Sequence, residues 1–221
     1  MDARLKLSVV VPVLDEAAGI RAALEALAPL RSRGHEVILV DGGSSDPTVA
    51  LAAGLCDRVL SAPRGRAAQM NAGARVATGE VLVFLHADTR LPARADQLIP
   101  NSSTWGRFDV AIEGRHPLLK VVASAMNLRS RLTGIATGDQ AIFVRRDAFP
   151  GFPEIALMED VALSKLLKRR GAPACLRQRV VTSGRRWESR GVLRTIFLMW
   201  RLRLLYFLGV SPELLARRYE R

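Results

Sequence analysis

The chain has 221 residues, a length that suits one domain or one domain with a small appendage. Hydrophobic residues make up 49% of the sequence and charged residues 24%, which excludes a wholly disordered protein. The two cysteines, Cys56 and Cys175, lie far apart without metal-type spacing, which excludes a zinc site or a disulfide framework and favours a reducing compartment.

The net charge of +12 is unevenly distributed along the chain. Residues 1–110 carry 12 basic and 12 acidic residues, whereas residues 111–221 carry 21 and 9. This asymmetry suggests an anionic partner; the alternative is a genomic preference for arginine, which supplies 29 of the 33 basic residues. Lysine is scarce and no nucleic-acid-binding motif is present, so DNA and RNA are not predicted as partners.

The N-terminal apolar run does not have the character of a signal peptide. The run Leu7–Leu14 contains Pro12 and ends at Asp15 and Glu16, without a small-residue cleavage site. No segment has the roughly 20 apolar residues of a membrane span. The sequence therefore predicts a cytoplasmic protein.

Strands and helices alternate in the first 90 residues. This alternation predicts an α/β fold with a Rossmann-like, mostly parallel sheet flanked by helices. The predicted strands are Leu7–Val13, Glu36–Val40, Arg58–Leu60 and Glu80–Leu85. The predicted helices are Ala17–Leu30, a short one after Asp46-Pro47, and Arg66–Ala77.

The second half has a less regular pattern. We expect a loop at Asn101–Gly106 and short strands at Val110–Ile112 and Ala141–Arg145. Three helices are predicted, at Leu118–Leu132, Val161–Arg170 and Leu193–Leu208.

Polar or glycine-rich residues follow each of the four predicted strands in the first half. In an open parallel sheet, ligands bind outside the carboxyl ends of the strands. The fold would bring these distant stretches to one edge, which favours a ligand site there. The stretches are Pro12–Glu16, Asp41–Asp46, Ala62–Gly65 and His86–Asp88.

Two carboxylates at this edge have distinct expected chemistry. Asp41 lies just beyond a buried strand, where a carboxylate needs donors such as a nucleobase N–H or a ribose hydroxyl. Gly42 and Gly43 permit close approach of the backbone to a ligand. Asp88 also follows a buried strand, and carboxylate, diphosphate and water oxygens suit Mg²⁺ or Mn²⁺. Singly, an Asx turn, a cap and a structural His86 are simpler interpretations; together, the residues favour a site.

Four stretches, taken in order, resemble the opening of family 2 glycosyltransferases with the GT-A fold. The third is similar to the family's Asn-x-Gly segment and the fourth to its D-x-D region. The resemblance covers about the first 90 residues and is specific as an ordered set. The stretches are Ser8–Glu16, Val40–Thr48, Ala67–Gly73 and Phe84–Asp88.

The resemblance implies roles for individual residues. Pro12 and Glu16 would line the nucleotide pocket, Asp41 would contact the base or ribose, and Asp88 would bind the metal and the diphosphate. His86 stands where the first acid of D-x-D usually lies, which implies weaker metal binding or a different metal preference. The other residues expected at the donor site are Gly43, Arg66, Asn71 and Ala87.

Two motifs of the second half resemble parts of the family's acceptor side. Glu159 and Asp160 precede a helix and are similar to the family's E-D motif, in which the Asp is the general base of an inverting transfer; helix capping is the alternative. Gly138, Asp139 and Gln140 resemble the segment lining the acceptor pocket; a strand-entry turn is the alternative.

Arg185-Arg186-Trp187 weakly resembles the family's Q-x-x-R-W motif, with Ser183 in the place of the Gln. That motif belongs mostly to processive synthases, so its partial form favours a single transfer over polymerisation. Arg186 and Trp187 are expected near the diphosphate or the acceptor, since a guanidinium binds phosphate well. A solvated basic turn is the alternative.

The C-terminal helix Leu193–Leu208 is apolar on nearly all sides. Arg194 and Arg201 share one face and Arg203 lies opposite. Packing onto the domain, a homodimer contact and an anionic membrane surface all satisfy such a helix. A membrane contact would indicate a lipid acceptor and a peripheral location at the inner membrane face.

The sequence therefore predicts a nucleotide-sugar-binding half, 1–110, and an acceptor-binding half, 111–221, in one continuous domain. The segments Trp105–Val110, Gly138–Phe143 and Met158–Asp160 also resemble a compact bacterial subgroup labelled as arsenosugar-biosynthesis glycosyltransferases. The resemblance implies metal-dependent transfer from a nucleotide-diphosphate sugar to an acceptor hydroxyl of a small molecule or lipid. The alternative is a non-catalytic, membrane-associated or nucleotide-binding module on a transferase fold.

Overall fold

The computed structural model describes residues 5–220 and is built around one sheet of eight strands. The strands are β1 (Leu7–Val13), β2 (Glu36–Asp41), β3 (Arg58–Ser61), β4 (Val81–Phe84), β5 (Thr89–Arg90), β6 (Trp105–Glu113), β7 (Phe143–Arg145) and β8 (Ala174–Ser183). The helices are α1 (Ile20–Glu25), α2 (Ala28–Arg31), α3 (Thr48–Ala52), α4 (Arg66–Val76), α5 (Ala95–Leu98), α6 (Leu118–Thr133), α7 (Glu159–Lys168), α8 (Arg185–Arg190), α9 (Val192–Phe207) and α10 (Pro212–Glu220). Two 3-10 turns cover Gly138–Gln140 and Arg146–Ala148.

The strand order across the sheet is β3-β2-β1-β4-β7-β6-β8-β5. The first four strands are parallel, and β7 runs antiparallel to both β4 and β6. β8 is parallel to β6, and β5 is antiparallel to β8. The predicted α/β fold with a mostly parallel sheet flanked by helices is confirmed.

The apolar run of β1 is buried along its whole length because helices cover both faces of the sheet. Val9 and Val11 point into one core cluster, and Val10 points into a second cluster on the other face. The alternation of faces along a strand explains why a continuous apolar run, rather than an alternating one, encodes this central strand.

Several predicted elements have different bounds in the structure. The helix predicted at Ala17–Leu30 is two short helices, α1 and α2, because Pro29 cannot donate a backbone hydrogen bond within a continuous helix. Trp105 and Gly106, predicted in a loop, begin β6 because they pair with Val144 and Phe143 of β7. The strand β8 was not predicted, since exposed polar residues at Arg177–Arg179 interrupt its apolar pattern.

The second half adds to the same sheet. β6 crosses position 110, the predicted boundary between the two halves, so both halves share the sheet. The predicted C-terminal helix corresponds to α9, which packs through Leu202 and its neighbours against Val161 and Leu215. Within residues 5–220, no helix combines the length and the apolar character that crossing a membrane requires.

Candidate functional site

The loops that follow β1 and β2 are joined by hydrogen bonds at the carboxyl edge of the sheet. Asp15 donates its backbone N–H to Ser44 Oγ at 2.9 Å, and its Oδ1 accepts the backbone N–H of Ser45 at 2.7 Å. The backbone N–H of Glu16 donates to Thr48 Oγ1 at 2.8 Å. These bonds fix the position of Glu16 relative to the second loop, so the predicted convergence of strand ends is present here.

Asp41 is buried and receives its donors from its own turn. Its carboxylate accepts the backbone N–H of Gly43 at 3.0 Å and that of Ser44 at 3.1 Å, together with the Ser44 hydroxyl. The Asx-turn interpretation of Asp41 therefore describes the residue correctly. A carboxylate has about four lone-pair sites, so the contact with a base or ribose stays a prediction.

Gln69 of α4 holds the ends of β1 and β2 together. Its Nε2 donates to the backbone carbonyls of Val13 at 2.7 Å and Val40 at 2.8 Å. A Cβ at Gly42 would lie 3.0 Å from this amide, which explains the glycine there. Gly73, one helical turn further along, lies where a Cβ would meet Val10 Cγ1 at 2.4 Å, so α4 needs this glycine to pack on the sheet.

Acidic side chains and arginines lie near one another at the carboxyl edge of the sheet. Burial raises the pKa of Glu16, and the charge of Asp88 raises it further, while Arg185 and Arg186 lower it. Arg186 donates through Nη1 to Tyr219 Oη at 3.2 Å, and the charge of Asp88 also acts on it. The structure therefore brings Glu16, Asp88 and Arg186 into one neighbourhood, as predicted from three distant stretches of sequence.

His86 forms a pair with Asp139 of the second half. Its Nδ1 lies 3.3 Å from Asp139 Oδ1, and its ring lies against Gly138, where a Cβ would approach Cε1 to 2.5 Å. Burial alone would raise the pKa of Asp139, but the hydrogen bond from His86 and the charges of His86, Arg66 and Arg186 lower it. An acid is thus held beside the position where His86 replaces the first acid of D-x-D.

Asp160 is connected to the same segment. Its Oδ2 accepts the backbone N–H of Gly138 at 3.0 Å, and its Oδ1 accepts that of Val161 at 2.7 Å. Asp160 is therefore bonded to Gly138, whose neighbour Asp139 pairs with His86, and Asp88 follows His86 by two residues in the sequence. The predicted base and the predicted metal ligand lie at the two ends of this linkage.

Glu159 is buried and forms an ion pair with Arg66, the first residue of α4. Arg66 Nε lies 2.8 Å from Glu159 Oε1. Burial and the charge of Asp160 raise the pKa of Glu159, whereas Arg66 and His86 lower it. Glu159, which was predicted as catalytic, is thus buried and neutralised by Arg66. This geometry suits a positioning residue that fixes the start of α7.

The backbone around the site contains unusual conformations. Four described non-glycine residues have positive φ, and three of them are Asp15 (53°), Ala141 (46°) and Met158 (70°). Asp15 follows β1, Ala141 follows Gly138–Gln140, and Met158 precedes Glu159. Such conformations cost of order 1–3 kcal/mol each and cluster at functional sites.

Three predicted site residues have other contacts in the structure. Asn71 uses its side-chain amide on the backbone of Phe152, donating at 2.9 Å and accepting at 2.8 Å, so it anchors a loop. Gln140 is fully buried, and its amide bonds Thr137 and Asn127. Trp187 packs against the hydrophobic core. The contacts of these three side chains are with other protein groups, so we interpret the residues as structural supports of the site.

The remaining predicted residues lie at the carboxyl edge. Pro12 is buried near the end of β1, beside Val40 of β2. Gly43 has φ of +91°, a conformation that favours glycine. Ala87 packs partly against the core between His86 and Asp88.

Four residues near the site were not predicted: Gln69, Tyr219, Arg129 and Arg203. Gln69 lies within the Ala67–Gly73 stretch, so its proximity to the Asn-x-Gly segment was an available signal. Tyr219 of α10 bonds Arg186 from the far end of the chain. Arg129 and Arg203 lie on helices with no motif, and no sequence signal distinguishes them from other arginines.

The residues around Asp88 fit a divalent cation that takes most of its ligands from the substrate and one or two from the protein. Among residues 5–220, no group of three or more His, Cys, Asp and Glu side chains forms a protein-only metal site. Mg²⁺ and Mn²⁺ bound with nucleotides commonly take one or two carboxylates plus phosphate oxygens. Burial and then the charge of Asp88 raise the pKa of Glu16, and a cation beside Asp88 would lower that pKa again.

The first half of the chain is similar to known proteins. Residues 8–112 match the family described as "Glycosyl transferase family 2". A "PGL/p-HBAD biosynthesis glycosyltransferase" of Mycobacterium bovis (strain BCG / Pasteur 1173P2) is 36% identical over 91 residues, which cover 38% of this chain and 36% of the relative. The same values hold for a protein of that name from Mycobacterium tuberculosis (strain ATCC 25177 / H37Ra). The match thus spans about a third of the length of these curated relatives.

Solved structures share the fold. A mannosyltransferase from Pyrobaculum calidifontis, solved in complex with GDP-Man and Mn²⁺, has a TM-score of 0.64 at 19% identity and covers 99% of this chain and 70% of its own. Glucosyl-3-phosphoglycerate synthase from Mycobacterium tuberculosis, solved with Mn²⁺, UDP and glucosyl-3-phosphoglycerate, has a TM-score of 0.59 at 18% identity. The match covers 80% of this chain and 71% of the synthase chain. The likeness confirms the predicted GT-A type of fold.

Proposed function

We propose, from the premise that residues 8–112 are a glycosyl transferase family 2 domain, that this chain is a glycosyltransferase. It takes a sugar from a nucleotide-diphosphate donor and transfers it, once and with inversion, to an acceptor hydroxyl. The observation that carries this proposal is the linkage of Asp160 to Gly138 and of Asp139 to His86, two residues before Asp88. It supports a diphosphate-side acid and a base at opposite ends of one site.

The donor lies along the carboxyl edge of β1, β2 and β4. Asp41 and the backbone of Gly43 face the nucleoside, and Arg186 provides a cation for the diphosphate beside Asp88. The relatives solved with GDP-Man or UDP and Mn²⁺ support a metal ion here. When bound at Asp88 with the diphosphate, Mg²⁺ or Mn²⁺ supplies positive charge for the leaving group.

Asp160 acts as the general base on the acceptor side. The backbone N–H groups of Gly138 and Val161 each donate to one oxygen of its carboxylate. These two bonds hold the side chain of Asp160 in one orientation. It takes the proton of the acceptor hydroxyl as the hydroxyl oxygen attacks the anomeric carbon, and the nucleoside diphosphate leaves with the electron pair. Arg66 neutralises neighbouring Glu159, which limits the acidic charge beside the base.

The direct test is thermal unfolding with Mn²⁺ and a panel of nucleoside diphosphates. A ligand that binds only the native state raises Tm, because at a concentration of 100 times its Kd it adds about 2.7 kcal/mol to the free energy of unfolding. We expect a metal-dependent increase with one nucleotide, and its loss in Asp88→Ala. Asp147→Ala is the matched control, because Asp147 is an exposed acid that follows β7 at the opposite edge of the sheet.

Persistence of the full nucleotide shift in Asp88→Ala would remove Asp88 from the site. Absence of any shift in the folded wild-type protein at saturating Mn²⁺ would instead favour the non-catalytic module. The subgroup label of arsenosugar biosynthesis and the cytoplasmic location stay predictions, and neither is used in this test.

We also propose that an anionic membrane surface contacts the outer face of α9. This helix packs by one face and exposes apolar side chains on the other, among them Phe197 and Trp200, each 67% exposed. Arg194 and Arg201 flank them on the exposed side. Apolar side chains with flanking arginines suit the interface of an anionic bilayer. Such a contact places the protein peripherally at a membrane and gives access to lipid acceptors.

Vesicle sedimentation tests this surface. Phe197→Ser with Trp200→Ser removes two exposed aromatic side chains, so we expect binding to vesicles of phosphatidylglycerol to fall at least tenfold without loss of stability, since each side chain contributes about 1.5–3 kcal/mol when buried. Val59→Ser is the control, because Val59 is also exposed but lies in β3, outside this helix. A concentration-dependent dimer that disappears in the double variant, with no vesicle binding, would assign the face to a second copy instead.

A further inference from the structure

Arg129 of α6 is a half-buried arginine, and residues 5–220 provide no partner for two of its three guanidinium nitrogens. Its Nε and Nη2 are buried, and neither has a hydrogen-bond partner within the described residues. Buried polar groups are almost always bonded, and an unpaired buried cation is strongly unfavourable. An arginine in this state needs a physical reason to be there.

Two neighbouring arginines, Arg107 and Arg131, have the protein partners expected of structural residues. Arg107 is fully buried and bonds Asp109, Ser130 Oγ at 3.0 Å and the backbone carbonyl of Asn127 at 3.1 Å. Arg131 lies 2.8 Å from the other oxygen of Asp109. Two arginines therefore share one acid, whereas Arg129 forms no ion pair with any acid in residues 5–220.

A second half-buried arginine lies close to the first. Burial, together with the charges of Arg203 on α9 and of Arg107, lowers the pKa of Arg129 to about 10, and the charge of Asp160 opposes this change. Burial also lowers the pKa of Arg203, against the charges of Asp160 and Asp139. Two cations from different helices thus lie near the proposed base in poorly hydrated surroundings, and Asp160 acts on both.

The charges around Arg129 separate this place from the donor side. The groups that act on it are Arg203, Asp160 and Arg107, and they include neither Asp88 nor Arg186, which face the proposed diphosphate. Asp139 acts on Arg203 as well, but neither Asp88 nor Arg186 does, so the charges nearest to an anion at Arg129 and Arg203 are those beside the proposed base. The position of such an anion next to Asp160 is the position of the acceptor.

We infer that Arg129 and Arg203 bind an oxyanion of the acceptor, a phosphate or a carboxylate carried by the molecule whose hydroxyl reaches Asp160. This inference rests on the proposed function, because it assigns the acceptor side of the same site. Guanidinium groups form strong charge-assisted hydrogen bonds with such an anion, which would give Arg129 the bonds that the described part of the protein does not supply. The anion is a free phosphorylated or carboxylated metabolite or a lipid headgroup, and both sources have this chemistry.

The first experiment is thermal unfolding of the full chain with inorganic phosphate, without nucleotide or metal, against chloride at equal ionic strength. Phosphate is expected to raise Tm of the wild-type protein by at least about 2 °C. Arg129→Met should lose that increase and, because it removes an unpaired buried cation, should have an unchanged or higher Tm without phosphate. Arg203→Met should lose the increase as well.

The matched control is Arg131→Met, two residues along the same helix. This variant breaks the contact with Asp109, so it should lower Tm slightly and keep the phosphate increase. Arg129→Lys keeps a cation and should keep part of the increase. A structural Arg129 would show the opposite order, with Arg129→Met destabilised and its phosphate response intact.

The source of the anion is distinguished by two probes. Glycerol 3-phosphate represents a soluble acceptor, and vesicles of phosphatidylcholine with phosphatidic acid represent a lipid headgroup. Arg129-dependent binding of either probe supports the inference and names the source. If Arg129→Met and Arg203→Met bind phosphate and both probes as the wild-type protein does, the inference is wrong, while a nucleotide shift that depends on Asp88 would still leave the proposed function in place.

Discussion

Asp160→Asn should lower the rate of glycosyl transfer by about 10²–10⁴-fold while leaving donor affinity within about twofold, which is the loss expected when a general base is removed. The amide keeps one oxygen for the N–H of Gly138, while its NH₂ group replaces the oxygen that accepts the N–H of Val161. It also loses the ability to accept the proton of the acceptor hydroxyl, which is the loss that the rate reports. The measurement is the initial rate of nucleoside diphosphate release with saturating donor and acceptor.

Glu154→Gln is the control for this substitution. Glu154 lies on the same segment leading into α7, but its side chain is exposed and makes no contact with the site. It should retain the wild-type rate. Equal rates for Asp160→Asn and the wild-type protein would show that Asp160 is a helix cap, whereas a parallel loss of nucleotide binding would show that it supports the donor pocket.

Asp109→Ala should destabilise the fold by about 3–5 kcal/mol, the cost of leaving a buried charge without its partner. Asp109 serves two cations, the fully buried Arg107 and the part-exposed Arg131. Its removal leaves Arg107 with only neutral partners in the interior. Urea unfolding gives the result as a lower midpoint with an unchanged slope.

Glu113→Ala provides the comparison within the same strand. Glu113 pairs with Arg90 at 2.9 Å, but both side chains are more than half exposed, so its loss should cost less than about 1 kcal/mol. A double variant, Arg107→Met with Asp109→Leu, should recover much of the lost stability because it removes both charges. A cost below about 1 kcal/mol for Asp109→Ala would contradict the assignment of a buried ion pair.

The parallel part of the fold was predictable because one local signal specifies it. Runs such as Leu7–Val13 and Glu36–Val40 are apolar except for Ser8 and Glu36, and this pattern is typical of a central strand covered on both faces. β8 has no such signal, because Arg177, Gln178 and Arg179 face outward where its register with β6 shifts after Phe108. Its pairing depends on a distant partner, which a local pattern does not contain.

The candidate site was predictable in its location but not in the contacts of each residue. The rule that strand ends meet at one edge predicted Glu16 and Asp88 in one region, and the family resemblance predicted Asp160 on the acceptor side. Neither reveals that Asn71 bonds Phe152 or that Gln140 bonds Thr137, since these partners lie in loops of irregular structure. Arg129 was missed because an unpaired side chain is defined by what surrounds it, which only the folded structure shows.

The helix α4 has a consequence for how the site works over time. Its first residue, Arg66, holds Glu159, and Asn71, less than two turns further along, holds Phe152. The segment between Phe152 and Glu159 is therefore tied at both ends to one rigid helix. We therefore expect the amides at the two ends of this segment to exchange their hydrogens only when α4 itself opens. Under the proposed function, the segment that leads to the base is then held in position before either substrate arrives.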